Sequence, residues 1–135
     1  SVMVIDIDHF KDVNDSHGHD VGDRVLKEFA ERISSSIRGI DLACRYGGEE
    51  FLIAMPDTDL TFASVVAERL RQEIATQKFH LNGGRDELSV TVSIGLASTE
   101  NGPEEDSAQK LIKRADEALY EAKNGGRNRV IQSAA

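Results

Sequence analysis

Seven residues near the start of the chain, Val2-Met3-Val4-Ile5-Asp6-Ile7-Asp8, limit the available folds more than any other stretch. An apolar run this continuous does not alternate between core and solvent, so it predicts a central strand covered on both faces. Asp6 and Asp8 are two residues apart, and such neighbours on a strand point to the same side. Carboxylates paired at the end of a buried strand need neutralising. Oxygen coordination of a hard divalent cation would achieve this, while the plainer alternative is that Asp8 caps the following turn. A central strand rarely opens a domain, so a fragment lacking an N-terminal piece is expected.

A second constraint lies at Gly47-Gly48-Glu49-Glu50, flanked by apolar runs from Leu42 to Tyr46 and from Phe51 to Met55. This pattern predicts a β-hairpin whose glycines permit positive φ and close approach of a backbone or a phosphate. Adjacent carboxylates at the tip repel each other unless a cation or donor offsets them, although acidic turns also serve solubility alone. Cys44, the single cysteine, reads as a small buried hydrophobe in a hairpin strand. It cannot form an internal disulfide, which points to a reducing cytoplasm.

Between these features, Phe10 and Val13 suggest a short helical turn, and the nearby histidines lack zinc-site spacing, leaving His9 as a surface residue. Val21, Val25, Leu26, Phe29, Ile33 and Ile37 form one apolar stripe, predicting a helix from Asp20 that weakens at Ser34-Ser35-Ser36 and ends at Gly39. Arg38-Gly39-Ile40-Asp41 reads either as a surface ion pair or as a recognition pair for guanine or phosphate. Pro56-Asp57-Thr58-Asp59 is a turn with several capping residues, followed by a helix facing inward through Ala63, Val66, Ala67, Leu70 and Ile74. Asn82-Gly83-Gly84-Arg85 is turn material. From Leu88 to Ala97, large apolar residues alternate with small ones, predicting a strand whose small face admits a closely packed helix. An acidic loop from Asn101 to Asp106 leads to a helix carrying Leu111, Ile112, Ala115, Ala118, Leu119 and Ala122. Gly125 reads as its C-cap, with Lys123 and Arg127 suiting either the helix dipole or a polyphosphate. A short strand from Arg129 to Gln132 follows. The resulting order, β, α, β-hairpin, α, β, α, β, fits a one-domain α+β fold with a sheet covered by helices.

Among 135 residues, 24 acidic side chains against 16 lysines and arginines give a net charge of −8. That argues against a general nucleic-acid or anionic-membrane surface, but not against an anionic small molecule held by local cations and a metal. No apolar run approaches the ~20 residues needed to span a bilayer.

Taken together, Asp6-Ile7-Asp8-His9-Phe10-Lys11, Asn14-Asp15, Gly18-His19-Asp20, Gly22-Asp23, Cys44 to Phe51, Ser93-Ile94-Gly95 and Arg114-Ala115-Asp116 resemble the GGDEF family of diguanylate cyclases, in particular its response-regulator branch. The likeness extends over essentially the whole chain, as a catalytic domain spanning 1–135 without its usual N-terminal segment and regulatory domain. It implies a mostly antiparallel sheet of the nucleotidyl cyclase and polymerase palm type, with a ferredoxin-like core. The implied reaction joins two GTP molecules into cyclic di-GMP with release of two pyrophosphates, in a homodimer. The resemblance assigns Mg²⁺, with Mn²⁺ as a substitute, to Asp6, the Ile7 carbonyl and Glu49, and nominates Glu50 for deprotonating the attacking 3′-hydroxyl. It places GTP against Phe10, Lys11, Asn14, His19, Asp23, Gly47, Gly48, Lys123 and Arg127, with Asn14 and Asp23 reading guanine. It further implies an inhibitory cyclic di-GMP site at Arg38, Asp41 and Arg69. The competing reading is a catalytically silent cyclic di-GMP receptor; against it stands the intact set Asp6, Glu49, Glu50, Asn14 and Asp23.

Overall fold

A computed structural model describes residues 1–81, 84, 86–101 and 107–134. Its elements are β1 (Val2–Ile7), α1 (Phe10–His17), α2 (His19–Ser36), β2 (Leu42–Arg45), β3 (Glu50–Ala54), α3 (Leu60–Thr76), β4 (Phe79–Leu81), β5 (Asp86–Leu88), β6 (Val92–Ala97), a 3-10 turn at Thr99–Asn101, α4 (Ala108–Asn124) and β7 (Val130–Gln132). Five strands form a sheet in the order β2-β3-β1-β6-β7, while β4 and β5 pair as a separate ribbon. β1 runs antiparallel to both β3 and β6, and β7 joins β6 in parallel. The mostly antiparallel α+β sheet expected from the sequence is therefore present, with β1 at its centre.

Every residue of β1 is buried, as a strand apolar on both faces must be. Met3, Ile5 and Ile7 belong to the large core shared with α2 and α3. Val2 and Val4 point the other way and pack with Ala97, Ala115 and Leu119 beneath α4. β6 repeats this division. Val92, Ile94 and Leu96 join the large core, whereas Gly95 lies against α4 so closely that a Cβ there would overlap the Ala115 carbonyl and the Leu119 amide. The small face read from the sequence is what admits that helix.

The structure corrects four expectations. The strand predicted over 88–97 is divided: Leu88 pairs with Phe79 in the ribbon, and only Val92 to Ala97 join the sheet. The intervening backbone is used elsewhere, since the Thr91 carbonyl accepts from the Asp8 amide at 2.9 Å. β4 was not anticipated, because three residues are too few to show a period. Its buried Phe79 lies under the Arg32 guanidinium, 3.9 Å from the ring centroid, and Arg32 also donates to the Gln77 and Lys78 carbonyls. α2 ends at an extended Ile37 rather than at Gly39, after a stretch in which Ser35 and Ser36 turn their hydroxyls back onto the Glu31 and Arg32 carbonyls. Cys44 is exposed, not buried, because β2 is an edge strand with all four residues open to solvent. The turn expected at 82–85 and the acidic loop at 101–106 fall largely outside the described residues.

Replacing Gly95 with alanine sets a methyl group against helix backbone rather than against a movable side chain. The Gly95→Ala variant is expected to lose about 1–3 kcal/mol or more in urea denaturation. A loss under about 0.5 kcal/mol would mean that α4 is not seated as described.

Candidate active site

Asp6 lies one residue before the end of β1, and the antiparallel register sets it opposite Glu50 on β3 and Ser93 on β6. The Ile7 amide points to the Glu49 carbonyl at 3.4 Å. One strand end and one hairpin tip thus bring Asp6, Glu49 and Glu50 together. Arg45 staples the tip: its guanidinium donates to the Gly47 carbonyl at 3.2 Å and to the Gly48 carbonyl at 2.6 Å. Tyr46 ties the hairpin to α4 through a 3.3 Å hydrogen bond to Asp116.

A cleft of about 220 Å³ opens beside this junction. Asp6, Ile7 and Glu49 line it on the strand side, Phe10 and Lys11 at the start of α1, Lys123 in the last turn of α4 and Arg127 in the turn that follows. Asp6 is 3% exposed, and Lys123 places its ammonium on Asp6 Oδ2 and 4.0 Å from Glu50 Oε1. Burial, with the Glu49 and Glu50 charges adding to it, pushes Asp6 up to about 6 despite the opposing Lys123 ammonium. No side chain caps the start of α1, where His9 adopts φ 56°. The first amides of a helix lack intrahelical acceptors, so those of Phe10 and Lys11 are suited to an anion.

Asp8 is neither a free carboxylate paired with Asp6 nor a cap for the next turn. It is buried and accepts from Thr91 Oγ1 at 2.6 Å, Ser93 Oγ at 2.6 Å and the Asn128 amide at 3.0 Å. These bonds tie the end of β1 to β6 and to the turn carrying Arg127, where Arg127 and Asn128 both have positive φ. Thr91 and Ser93, polar residues two apart on the small face of a strand, were the available signal for this anchor.

The remaining expected residues lie apart from the cleft. Asn14 on α1 rests over Gly22, one residue before Asp23 on α2, so the two candidate guanine readers share the α1–α2 elbow. Asp23 borders a groove of about 600 Å³ between α2 and the hairpin strands, with Leu26 and Phe51 among its walls. His19 is exposed in the first turn of α2. Arg38 and Asp41 form a two-pronged pair at the opposite end of the sheet: Arg38 Nη2 lies 3.0 Å from Asp41 Oδ1, and Nε lies 3.3 Å from Oδ2. The Asp41 side chain is 2% exposed and that of Arg38 41%. Burial alone would raise Asp41; the Arg38 hydrogen bonds outweigh it and hold the carboxyl below its ordinary value. Arg69 donates to the Ser36 carbonyl at 3.0 Å, within reach of the same segment.

Among the described residues, no three His, Cys, Asp or Glu side chains are grouped to hold a metal ion. The expected set needs only two carboxylates and a carbonyl, all hard oxygen donors, and Asp6 is buried with the Glu49 and Glu50 charges acting on it. These residues fit a divalent cation.

A palm-type sheet with carboxylates where its central strand meets a glycine-rich hairpin defines the nucleotidyl cyclase class of fold. The description "Diguanylate cyclase, GGDEF domain" matches residues 1–129, and the chain belongs to that GGDEF family. It is 52% identical to the response regulator PleD of Caulobacter vibrioides over all 135 residues, which are 29% of that protein. It is 45% identical to diguanylate cyclase A of Treponema denticola over 133 residues, 98% of this chain and 35% of the relative. The chain therefore spans about a third of the length of these relatives. Among solved structures, the GGDEF domain of DgcB from Caulobacter crescentus in complex with c-di-GMP superposes with a TM-score of 0.89 at 34% identity, covering 99% of this chain and 77% of that one. The active GGEEF domain of a diguanylate cyclase from Vibrio cholerae gives 0.85 at 34% identity, covering 98% and 81%. No helix among the described residues is long and apolar enough to cross a membrane.

A carboxyl raised by burial favours the folded state only while protonated. Its contribution is complete below about pH 4 and is lost as pH rises through about 6. Asp6→Asn should therefore melt near the wild type at about pH 4 and above it at about pH 8, both without added metal. An equal difference at the two pH values would contradict the raised carboxyl.

Proposed function

We propose that this domain is a diguanylate cyclase that condenses two GTP molecules into cyclic di-GMP and two pyrophosphates. The observation carrying the proposal is the convergence of Asp6, the Ile7 backbone and Glu49 in one cleft with Lys123 and Arg127. Asp6, the Ile7 carbonyl and Glu49 would hold Mg²⁺, which when bound neutralises triphosphate charge and stabilises that developing at the α-phosphorus.

The chain's own residues supply the rest. The Phe10 and Lys11 amides receive phosphate oxygens, and Lys123 and Arg127 add charge-assisted bonds. Asp8 keeps the turn bearing Arg127 in place through the Asn128 amide. Asn14 and Asp23 present an amide and a carboxylate to the donor and acceptor edge of guanine, a pattern that adenine lacks. Glu50 lies beside the cleft and accepts the proton of the attacking 3′-hydroxyl, which comes from a GTP held by a second copy of the domain. Two domains must face each other for that attack, so turnover depends on dimer formation.

Arg38 and Asp41 serve as the product-inhibition site, with Arg69 as a secondary contact. The partly exposed guanidinium is fixed in orientation by a buried carboxylate and so is preorganised for a guanine edge or a phosphate. The site lies outside the cleft, which makes its effect allosteric. The alternative, a silent receptor for cyclic di-GMP, has no use for the complete acidic set around Asp6.

Incubation with GTP and Mg²⁺ followed by chromatography of the products tests this reading. The wild type should form cyclic di-GMP, Glu50→Gln should slow formation by about 10²-fold or more, and Arg38→Ala should raise the product level at which the reaction stalls. Cyclic di-GMP binding without turnover, even after forced dimerisation, would select the receptor.

A further inference from the structure

Lys123 occupies Asp6, the very carboxylate that a divalent cation would need. Its ammonium lies on Asp6 Oδ2 and 4.0 Å from Glu50 Oε1, and the Glu49 charge also acts on Asp6. The backbone beneath it is fixed. Lys123 lies in the last turn of α4, whose end is closed by the Gly125 amide on the Glu121 carbonyl at 2.8 Å and the Arg127 amide on the Ala122 carbonyl at 3.0 Å. The side chain is 31% exposed, and its flexible four-carbon stem lets the ammonium leave Asp6 while the helix stays in place. A lysine ammonium and a divalent cation repel each other, so the two compete for this carboxylate.

We propose that Lys123 is the resident counter-ion of the cation site: a divalent cation takes Asp6 by displacing the lysine ammonium, and the displaced ammonium is then free for the triphosphate. This inference rests on the cyclase reading above. It makes Lys123 a positioning residue that links two binding events. Without nucleotide, the lysine competes with the cation. With nucleotide present, the phosphates draw the lysine away and cation affinity rises, and by linkage the cation raises nucleotide affinity by the same factor. A lysine that only contacts phosphate would leave nucleotide-free cation affinity unchanged.

Mn²⁺ titration without nucleotide, followed by the paramagnetic resonance of free Mn²⁺, separates these cases. Lys123→Gln should bind Mn²⁺ at least about tenfold more tightly than the wild type, and Lys123→Arg, which keeps the charge, should not. In the wild type, the Lys123 side-chain ¹⁵N resonance should shift as Mg²⁺ is added, and this should not happen in Asp6→Asn. Unchanged Mn²⁺ affinity in Lys123→Gln, with GTP binding alone weakened, would leave Lys123 a plain phosphate contact and overturn the exchange. A wild-type Lys123 resonance unmoved by saturating Mg²⁺ would overturn it too, whether or not any variant folds. If neither wild type nor Lys123→Gln binds Mn²⁺, the cation assignment of the proposed function fails and takes the exchange with it.

Discussion

The site depends on a conflict between burial and charge at the end of β1. The strand must be apolar to lie at the centre of the sheet, yet it ends in two carboxylates at the edge of the core. The two are accommodated differently. Asp8 is fully engaged by protein donors and becomes part of the frame. Asp6 has a lysine ammonium, a raised proton affinity and acidic neighbours. Carboxylates two residues apart thus divide into a fixed structural anchor and a group whose partner can be exchanged.

That division explains how four distant segments form one cleft. β1 supplies the floor, and the register with β3 brings the hairpin tip alongside. The small face of β6 lets α4 approach closely enough for its last turn to reach Asp6. Asp8 then fixes the following turn, which carries Arg127. Gly95 through α4 and Asp8 through the Asn128 amide each set where a cation from the C-terminal third of the chain stands.

Much of this was legible because it rests on periodicity and turn chemistry. The buried central strand, the Gly47-Gly48 hairpin, the apolar stripes of α2, α3 and α4, and the small face of β6 all leave marks in residue order. The elements that escaped are those settled by tertiary contacts. Cys44 lies in an apolar-looking strand, but only the sheet order reveals it as an exposed edge. Phe79 to Leu81 is too short for a pattern and is held by Arg32 from another helix. The break before Val92 arises because the Asp8 amide uses the Thr91 carbonyl. Residue order also gives no sign that Asn14 and Asp23 stand on an elbow apart from the cleft, since that separation is set by how α1 folds back on α2.

The placement of β1 also bears on how the chain reaches its fold. Its ladder partners are β3 and β6, and the β6 pairing joins Val2 to Ala97 and Ile7 to Val92. Contacts so remote in sequence form late and slow the folding of a domain. As the polypeptide is synthesised, the earliest strand of this chain waits for β6 with one hydrogen-bonding edge bare, and for α4 with one apolar face bare. An unsatisfied apolar strand of this kind is a template for intermolecular pairing. The geometry that gives Asp6 a rigid seat therefore leaves β1 incompletely covered until β6 and α4 have been made.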